Sequence, residues 1–146
     1  MASQHEQFWT HERYAFVGNS RKKGFPRLSF RALREQPGKT VFAVDPSVDQ
    51  IDGVKTYPDL ASLPEPVDGV VLEVPREDTR GWVQQAADAG VERIWIHMNR
   101  DTPEALALAA EKCIEVHTGT CAVMYVKRGP SYHSIHKWIM KLAGKY

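Results

Sequence analysis

Cysteine and long apolar runs are both scarce in this sequence. The 146 residues include two cysteines, Cys113 and Cys121, which are too few for a disulfide framework, so we expect a reducing, cytoplasmic setting. No stretch approaches the roughly 18 apolar residues that a membrane span requires. The N-terminus shows no cationic segment leading into an apolar run, so we expect no signal peptide.

Neither sign of charge dominates the sequence, since the formal net charge is +1. This balance gives no support for general binding to nucleic acid or membranes. Acidic residues do stop at Glu115, and the cations beyond it are Lys127, Arg128, Lys137, Lys141 and Lys145. We interpret this basic end as a solvated helix face. An acidic protein partner or a second copy of the chain remain alternatives.

The chain length suits one domain, in which short apolar runs alternate with stretches of helical period. The predicted strands are Tyr14–Gly18, Thr40–Val44, a short piece at Lys55–Tyr57, Val67–Val74, Val91–Ile96 and Ile114–His117. The predicted helices are Gln4–His11, Pro26–Gln36, a single turn at Asp59–Leu63, Thr79–Ala89, a helix from Asp101 to Cys113, and Ser131–Leu142. This alternation predicts an α/β protein with a mostly parallel sheet of five or six strands between two helical layers.

The apolar periods also predict which side chains are buried. Phe8 and Trp9 should fix the leading helix to the domain, and Leu28, Ala32 and Leu33 should face inward from the second helix. Ligands of parallel sheets lie beyond the carboxyl ends of the strands, near the topological switch point. That rule gathers the loop after Gly18, Asp45-Pro46, the Tyr57 segment, Val74-Pro75-Arg76 and His97–Asn99 into one candidate site.

The loop after the first strand is basic and carries side chains where a dinucleotide loop has glycine. The G-x-G-x-x-G pattern would need glycines at 20 and 23, where Ser20 and Lys23 stand. The Ser20 hydroxyl and the cations Arg21, Lys22 and Lys23 could bind phosphate. An ordinary strand-to-helix turn with solvated cations fits the same residues.

Asp45 at the end of the second strand favours a second interpretation, an NAD(P)-binding protein or a redox or nucleotide sensor, since an acid there commonly binds the ribose. The missing glycine pattern and the adjacent Pro46 weigh against NAD.

Metal and catalytic motifs are not evident. Cys113, His117, Cys121, His133 and His136 match no compact zinc spacing, and Cys113 falls on an apolar helical stripe as a buried small residue would. Cys121 is a possible reactive thiol, because basic residues downstream could lower its pKa. A structural thiol is the favoured interpretation.

Several segments together resemble the small stand-alone CoA-binding proteins, which are related to the N-terminal CoA-binding domain of the succinyl-CoA synthetase α subunit. The resemblance runs from about Arg13 to Cys121. It rests on Val17–Ser20, Phe42–Pro46, Gly53–Leu60, the run from Leu63 to Asp68, Val74-Pro75 and Ile94–Ile96. It implies a Rossmann-like three-layer sandwich for residues 13–121. Outside the shared region, we expect a helical lead-in at 1–12 and a basic loop and helix at 122–146 packed on the same domain.

The resemblance also implies a site for CoA or an acyl-CoA at the strand ends. Gly18, Asn19 and Ser20 would hold the pyrophosphate, and Lys22 or Lys23 would neutralise phosphate. Val44 and Pro46 would line the adenosine side, and Val74-Pro75 would pack against the ligand. The full candidate set is Gly18, Asn19, Ser20, Arg21, Lys22, Lys23, Val44, Asp45, Pro46, Tyr57, Val74, Pro75 and His97.

The chain departs from the family pattern at two strand ends. Asp45 stands where members often have Asn, and His97–Arg100 replaces a turn with Gln or Gly. The resemblance places the phosphorylated histidine and the nucleotide-binding subunit of the synthetase reaction outside such a domain. We therefore predict a ligand-binding module rather than a complete enzyme.

Overall fold

The computed structural model of the protein describes residues 4–22 and 24–118. Lys23, Cys121, His133, His136 and the predicted helix Ser131–Leu142 lie outside the described residues. Within them, the helices are α1 (Gln4–Phe8), α2 (Arg27–Arg34), α3 (Arg76–Asp88) and α4 (Pro103–Glu111). The strands are β1 (Arg13–Val17), β2 (Thr40–Val44), β3 (Gln50–Ile51), β4 (Val54–Tyr57), β5 (Gly69–Leu72), β6 (Arg93–Ile96) and β7 (Glu115–His117).

The strands form one sheet in the order β3-β4-β2-β1-β5-β6-β7. All neighbours pair in parallel except β3 and β4, which are antiparallel. The predicted α/β class and mostly parallel sheet are confirmed, and each of the six predicted strands is present. The seventh strand is β3, a two-residue edge strand that turns into β4 through Asp52 and Gly53, both with positive φ.

Helices cover both faces of the sheet, because side chains of each strand alternate between two apolar layers. In β1, Ala15 and Val17 point to the layer that α3 and α4 cover, whereas Tyr14 and Phe16 point to the layer of α1 and α2. All four of these side chains are fully buried. The core therefore lies on both sides of a central strand, which explains why the β1 sequence is an uninterrupted apolar run.

The short helix α1 is anchored by aromatic side chains, as predicted for Phe8 and Trp9. Both are buried, and the Tyr14 hydroxyl donates a hydrogen bond of 2.7 Å to the Phe8 carbonyl. Gly69 of β5 provides the space for this packing, since a Cβ there would lie 2.8 Å from Phe8 Cζ. None of the helices within the described ranges is long and apolar enough to cross a membrane.

The inward face predicted for α2 was wrong at Leu28, which is 58% exposed. The helix instead buries Ser29, Phe30 and Leu33, and Ala32 is partly buried. Leu28 precedes Leu33 by five residues, whereas side chains that share a helix face are three or four apart. Phe30 fills the position on that face, packing edge-on against Phe16 with ring centroids 5.9 Å apart.

The predicted burial of Cys113 was also wrong. The helix α4 ends at Glu111, and Cys113 lies beyond it, exposed and with a φ of +57°. Its N–H donates to the Ala110 carbonyl and the next N–H to the Ala109 carbonyl, the bonding of a Schellman cap. The left-handed residue of such a cap turns outward, so the helical period of α4 does not extend to Cys113.

Two further boundaries differ from the prediction. Residues 59–63 form a hydrogen-bonded turn instead of a helix, with the Ser62 N–H donating to Asp59 Oδ1 at 2.9 Å. The helix α3 begins at Arg76, directly after Pro75, three residues earlier than predicted. At the start of α4, the Thr102 hydroxyl caps the helix by accepting a hydrogen bond from the Ala105 N–H at 3.1 Å.

Candidate functional site

The strand order places a topological switch point between β1 and β5. From β1 the chain crosses to β2 on one side, and from β5 it crosses to β6 on the other, so the two connections leave a crevice between them. Hydrogen bonds continue the ladder past the strand ends, from Gly18 N–H to the Val44 carbonyl and from Glu73 N–H to the Val17 carbonyl. The loop 18–24 and the segment 73–76 therefore flank one crevice at the carboxyl edge of the sheet.

The loop 18–24 is a compact hairpin. Asn19 and Gly24 exchange two backbone hydrogen bonds, of 2.8 and 3.1 Å. Inside this hairpin, the Asn19 side-chain oxygen accepts the N–H groups of Arg21 and Lys22 at 3.3 and 3.2 Å. Successive N–H groups of the loop thus converge on one acceptor, the arrangement by which backbone amides bind anions.

Gly18 is required at the base of this loop for steric reasons. A Cβ at Gly18 would lie 2.8 Å from Phe25 Cα and 3.0 Å from the Gly24 carbonyl oxygen. Both are backbone atoms that the hairpin fixes. The strand therefore meets its loop too closely for any larger side chain.

Asp45 joins the loop to the segment that follows β2. One carboxylate oxygen accepts the N–H and the hydroxyl of Ser20, at 2.8 and 2.6 Å. The other accepts the N–H and the hydroxyl of Ser47, also at 2.8 and 2.6 Å. Asp45 is 1% exposed, so these four bonds satisfy a buried carboxylate. In this geometry the Ser20 hydroxyl donates to Asp45, and its predicted phosphate contact stays a prediction.

The loop cations stand at the surface of the crevice. Arg21 and Lys22 are exposed, and Lys22 Nζ lies 3.4 Å from Asp78 Oδ2 in the first turn of α3. This ion pair spans the crevice. Since exposed ion pairs contribute at most about 1 kcal/mol, Lys22 can exchange Asp78 for another anion at little cost.

The apolar candidate residues divide into buried and accessible groups. Val44, Val74 and Pro75 are buried in the protein, so in this structure they support the backbone of the strand ends. Pro46 is exposed, and Tyr57 is half-buried beside Phe42, with ring centroids 6.1 Å apart. Pro46 and Tyr57 are thus the two members of this set that present surface to a ligand.

His97 follows β6 and lies next to Glu73, which follows β5. Their nearest side-chain atoms, His97 Nε2 and Glu73 Oε1, are 4.0 Å apart. Burial lowers the pKa of His97; Glu73 opposes this shift and Arg100 adds to it, so the imidazole favours its neutral form. The site therefore contains an acid–imidazole pair beside the crevice.

The sequence reasoning missed Ser47, Glu73 and Asp78. Ser47 could have been found, because Asp-Pro-Ser is typical of a turn in which the Asp side chain binds the backbone two residues on. Glu73 was included in a predicted strand, and nothing in the sequence pairs Asp78 with Lys22.

His117 lies in the apolar layer of α1 and α2, beside Phe8 and Trp95. It is buried, its ring stacks on Trp95 with centroids 5.8 Å apart, and its Nδ1 lies 3.0 Å from Nδ1 of His5. Burial, followed by the electrostatic effect of His117, lowers the pKa of His5. Among residues 4–22 and 24–118, no group of three or more His, Cys, Asp or Glu side chains is placed to hold a metal ion.

Comparison with known families identifies the class of protein that this fold and crevice define. Residues 12–127 match the family described as a CoA binding domain, and the chain belongs to that family. Among curated proteins it is similar to trans-feruloyl-CoA synthase FCS1 of an unknown prokaryotic organism, with 28% identity over 130 residues. The match covers 80% of this chain and 18% of the synthase, so the chain spans about a fifth of the length of this curated relative.

Solved structures share the fold. Prb, the PH1109 protein redesigned for binding, has a TM-score of 0.73 at 23% identity, covering 85% of this chain and 90% of that one. A conserved hypothetical protein from Pyrococcus furiosus has a TM-score of 0.68 at 25% identity, covering 77% and 97%. The dinucleotide forming acetyl-coenzyme A synthetase 1 of Ca. Korarchaeum cryptofilum has a TM-score of 0.62 at 23% identity, covering 76% of this chain and 26% of that chain. The Rossmann-like fold is thereby confirmed.

Proposed function

We propose that this chain binds CoA or an acyl-CoA in the crevice between the loop 18–24 and the segment 73–76, without evident catalysis of its own. The observation that carries the proposal is the family match, since residues 12–127 include both sides of the switch point. We further propose that residues 13–121 form the binding domain, with 1–12 as its lead-in and 122–146 as a basic extension.

The pyrophosphate is assigned to the loop 18–24. Its amides at Arg21 and Lys22 bind Asn19 Oδ1 at 3.3 and 3.2 Å, longer than the commonest distance of about 2.9–3.0 Å. Each amide shares its hydrogen with a second acceptor, Ser47 Oγ at 3.3 Å for Arg21 and the Asn19 carbonyl at 3.1 Å for Lys22. A phosphate oxygen can replace so weak an acceptor and gain charge-assisted bonds that are about twice as strong. The exposed side chains of Arg21 and Lys22 add positive charge at the same place.

The adenosine side is assigned to the ends of β2 and β4. Pro46 and Tyr57 provide accessible apolar surface there, and the parallel pairing of Val44 with Tyr57 brings these strand ends together. Flat apolar side chains of this kind favour contact with an aromatic base. His97 and Glu73 lie toward the other side of the crevice, where the pantetheine arm of CoA would leave.

The binding role is favoured over an enzymatic one by the extent of the matches. The chain covers 18% of the feruloyl-CoA synthase and 26% of the acetyl-coenzyme A synthetase. The activities named for those proteins therefore belong to chains with much additional structure. Within the described ranges of this chain, His97 Nε2 and Glu73 Oε1 are 4.0 Å apart, too far for a hydrogen bond.

Calorimetric titration with CoA, NAD and NADP tests the proposal. We expect saturable heat with CoA and none with the two nicotinamide nucleotides, because both Asp45 oxygens already accept two hydrogen bonds and are poorly placed to accept ribose hydroxyls. Absence of CoA binding at millimolar concentration would sink the proposal. Saturable NAD binding in its place would favour an NAD-binding protein.

A further inference from the structure

The segment after β2 is negatively charged. Between residues 45 and 53 the sequence has three carboxylates, Asp45, Asp49 and Asp52, and no lysine or arginine. Asp45 is the buried member of the three, and its four hydrogen-bond donors are the neutral N–H and hydroxyl groups of Ser20 and Ser47. These bonds fix the carboxylate, but neutral donors do not cancel its charge.

Of the cations in residues 4–22 and 24–118, those near this segment have other partners or other positions. Arg27 Nε lies 3.9 Å from Asp52, and Lys55 Nζ lies over the Tyr57 ring at 5.1 Å from its centroid. Lys22 pairs with Asp78 across the crevice, and Arg21, whose N–H donates to Ser47 Oγ at 3.3 Å, has an exposed side chain. Among the residues that the structure describes, none of the ion pairs includes Asp45.

A charge at this position acts on the ribose of an adenine nucleotide. In doubly wound folds the acid at the end of the second strand lies beside that ribose, and it discriminates between a free hydroxyl and a phosphate. CoA carries a phosphate on the 3′-oxygen of its ribose, whereas dephospho-CoA has a hydroxyl there. A fixed negative charge on the protein repels the first ligand more than the second.

We propose that Asp45 is a specificity-determining residue, and that among CoA-type ligands the site favours 3′-dephospho-CoA, whose ribose is unphosphorylated, over CoA. The inference rests on the proposed function, because it takes the crevice as the binding site. It names the ligand class within that function.

Parallel calorimetric titrations with CoA and 3′-dephospho-CoA test this specificity. We expect wild-type protein to bind dephospho-CoA more tightly than CoA. The Asp45→Asn variant should shift the ratio of the two dissociation constants toward CoA about tenfold, which is the effect of a unit-charge interaction across roughly 12 Å at an effective dielectric constant of about 20. The ratio is the readout because loss of the Asp45 hydrogen bonds weakens both ligands together, whereas loss of its charge affects mainly the phosphorylated one.

Asp49→Asn is the matched control. It removes the same unit charge from the same segment, but Asp49 is exposed and lies outside the Ser20–Asp45–Ser47 contacts. We expect its ratio to stay within about twofold of wild type, because solvent screens an exposed charge. If the wild-type protein binds CoA more tightly than dephospho-CoA, the inference is overturned. This comparison uses wild-type protein alone and so does not depend on whether Asp45→Asn folds. An unchanged ratio in a folded Asp45→Asn protein would also overturn it. If neither ligand binds, the proposed function fails, and the inference with it.

Discussion

Substituting Gly18 by alanine tests whether the steric limit at the base of the loop 18–24 is real. The added Cβ would lie 2.8 Å from Phe25 Cα, 2.9 Å from Phe25 Cδ2 and 3.0 Å from the Gly24 carbonyl oxygen. Two of these three atoms belong to the backbone. They cannot rotate away as a flexible side chain would, so the loop itself must shift.

The expected cost follows from these contacts. Overpacking of a well-ordered region typically costs about 1–3 kcal/mol, and we expect Gly18→Ala to lower the free energy of unfolding by about 2 kcal/mol. The shift also moves the Gly18 N–H away from the Val44 carbonyl, to which it donates at 3.0 Å. Since the loop amides move with it, CoA binding should weaken as well.

Gly81→Ala provides the matched control. Gly81 lies inside α3, and beyond its chain neighbours and the backbone of its own helix no atom is within 4 Å of the position of its added Cβ. Replacing glycine by alanine in an exposed helix interior should raise the free energy of unfolding by about 0.8–1 kcal/mol. Urea denaturation followed by circular dichroism measures both variants. A Gly18→Ala protein as stable as wild type, or a Gly81→Ala protein destabilised to the same degree, would refute the reasoning.

Three further predictions concern other parts of the molecule. Cys113→Gly should raise the free energy of unfolding by about 1 kcal/mol, because glycine adopts the left-handed conformation without steric cost. Gly90 has the equivalent position in the cap of α3, so Gly90→Ala should lower the free energy of unfolding by about the same amount. Urea denaturation of the two variants should give opposite signs. The lowered pKa of His5 should make stability depend on pH. Below pH 6.5, the ordinary pKa of histidine, the unfolded chain binds a proton that the folded protein does not, so stability should fall as the pH is lowered through this value. His5→Gln should flatten this dependence in thermal unfolding at pH 5–7, and an unaltered slope would contradict it. If Cys121 is a reactive thiol, its exchange with oxidised CoA should release one CoA thiol and add the mass of one CoA to the wild-type protein. Because Cys113 is also exposed, Cys113→Ser should keep the added mass whereas Cys121→Ser should lose it, and an unchanged wild-type mass would reject the reactive-thiol interpretation.

The strands and the general position of the site could be predicted from the sequence because they depend on local patterns. Uninterrupted apolar runs such as Tyr14–Gly18 have few alternatives to a central parallel strand. The carboxyl ends of such strands then converge by topology, which brings Gly18, Asp45 and Val74 to one edge without knowledge of any contact.

The remaining features depend on geometry that local patterns do not contain. Leu28 and Phe30 are both apolar, and although Phe30 has the three-residue spacing from Leu33 that a shared helix face requires, its packing against Phe16 is visible only in the structure. Cys113 continues the helical period of α4 in sequence, but the helix ends at Glu111. The Asp45 carboxylate was interpreted as a ribose ligand because its end-of-strand position is visible in the sequence, whereas its bonds to Ser20 span 25 residues.

The most direct test of the central proposal, that CoA binds at the carboxyl edge of the sheet, is a map of backbone amide chemical shifts during titration with CoA. The proposal predicts that the largest changes occur at Ser20, Arg21 and Lys22 and in the segment 73–76, with none at Asp68 or Glu92 at the opposite edge. Saturating CoA that leaves the loop amides unshifted, or that shifts the opposite edge instead, would contradict it.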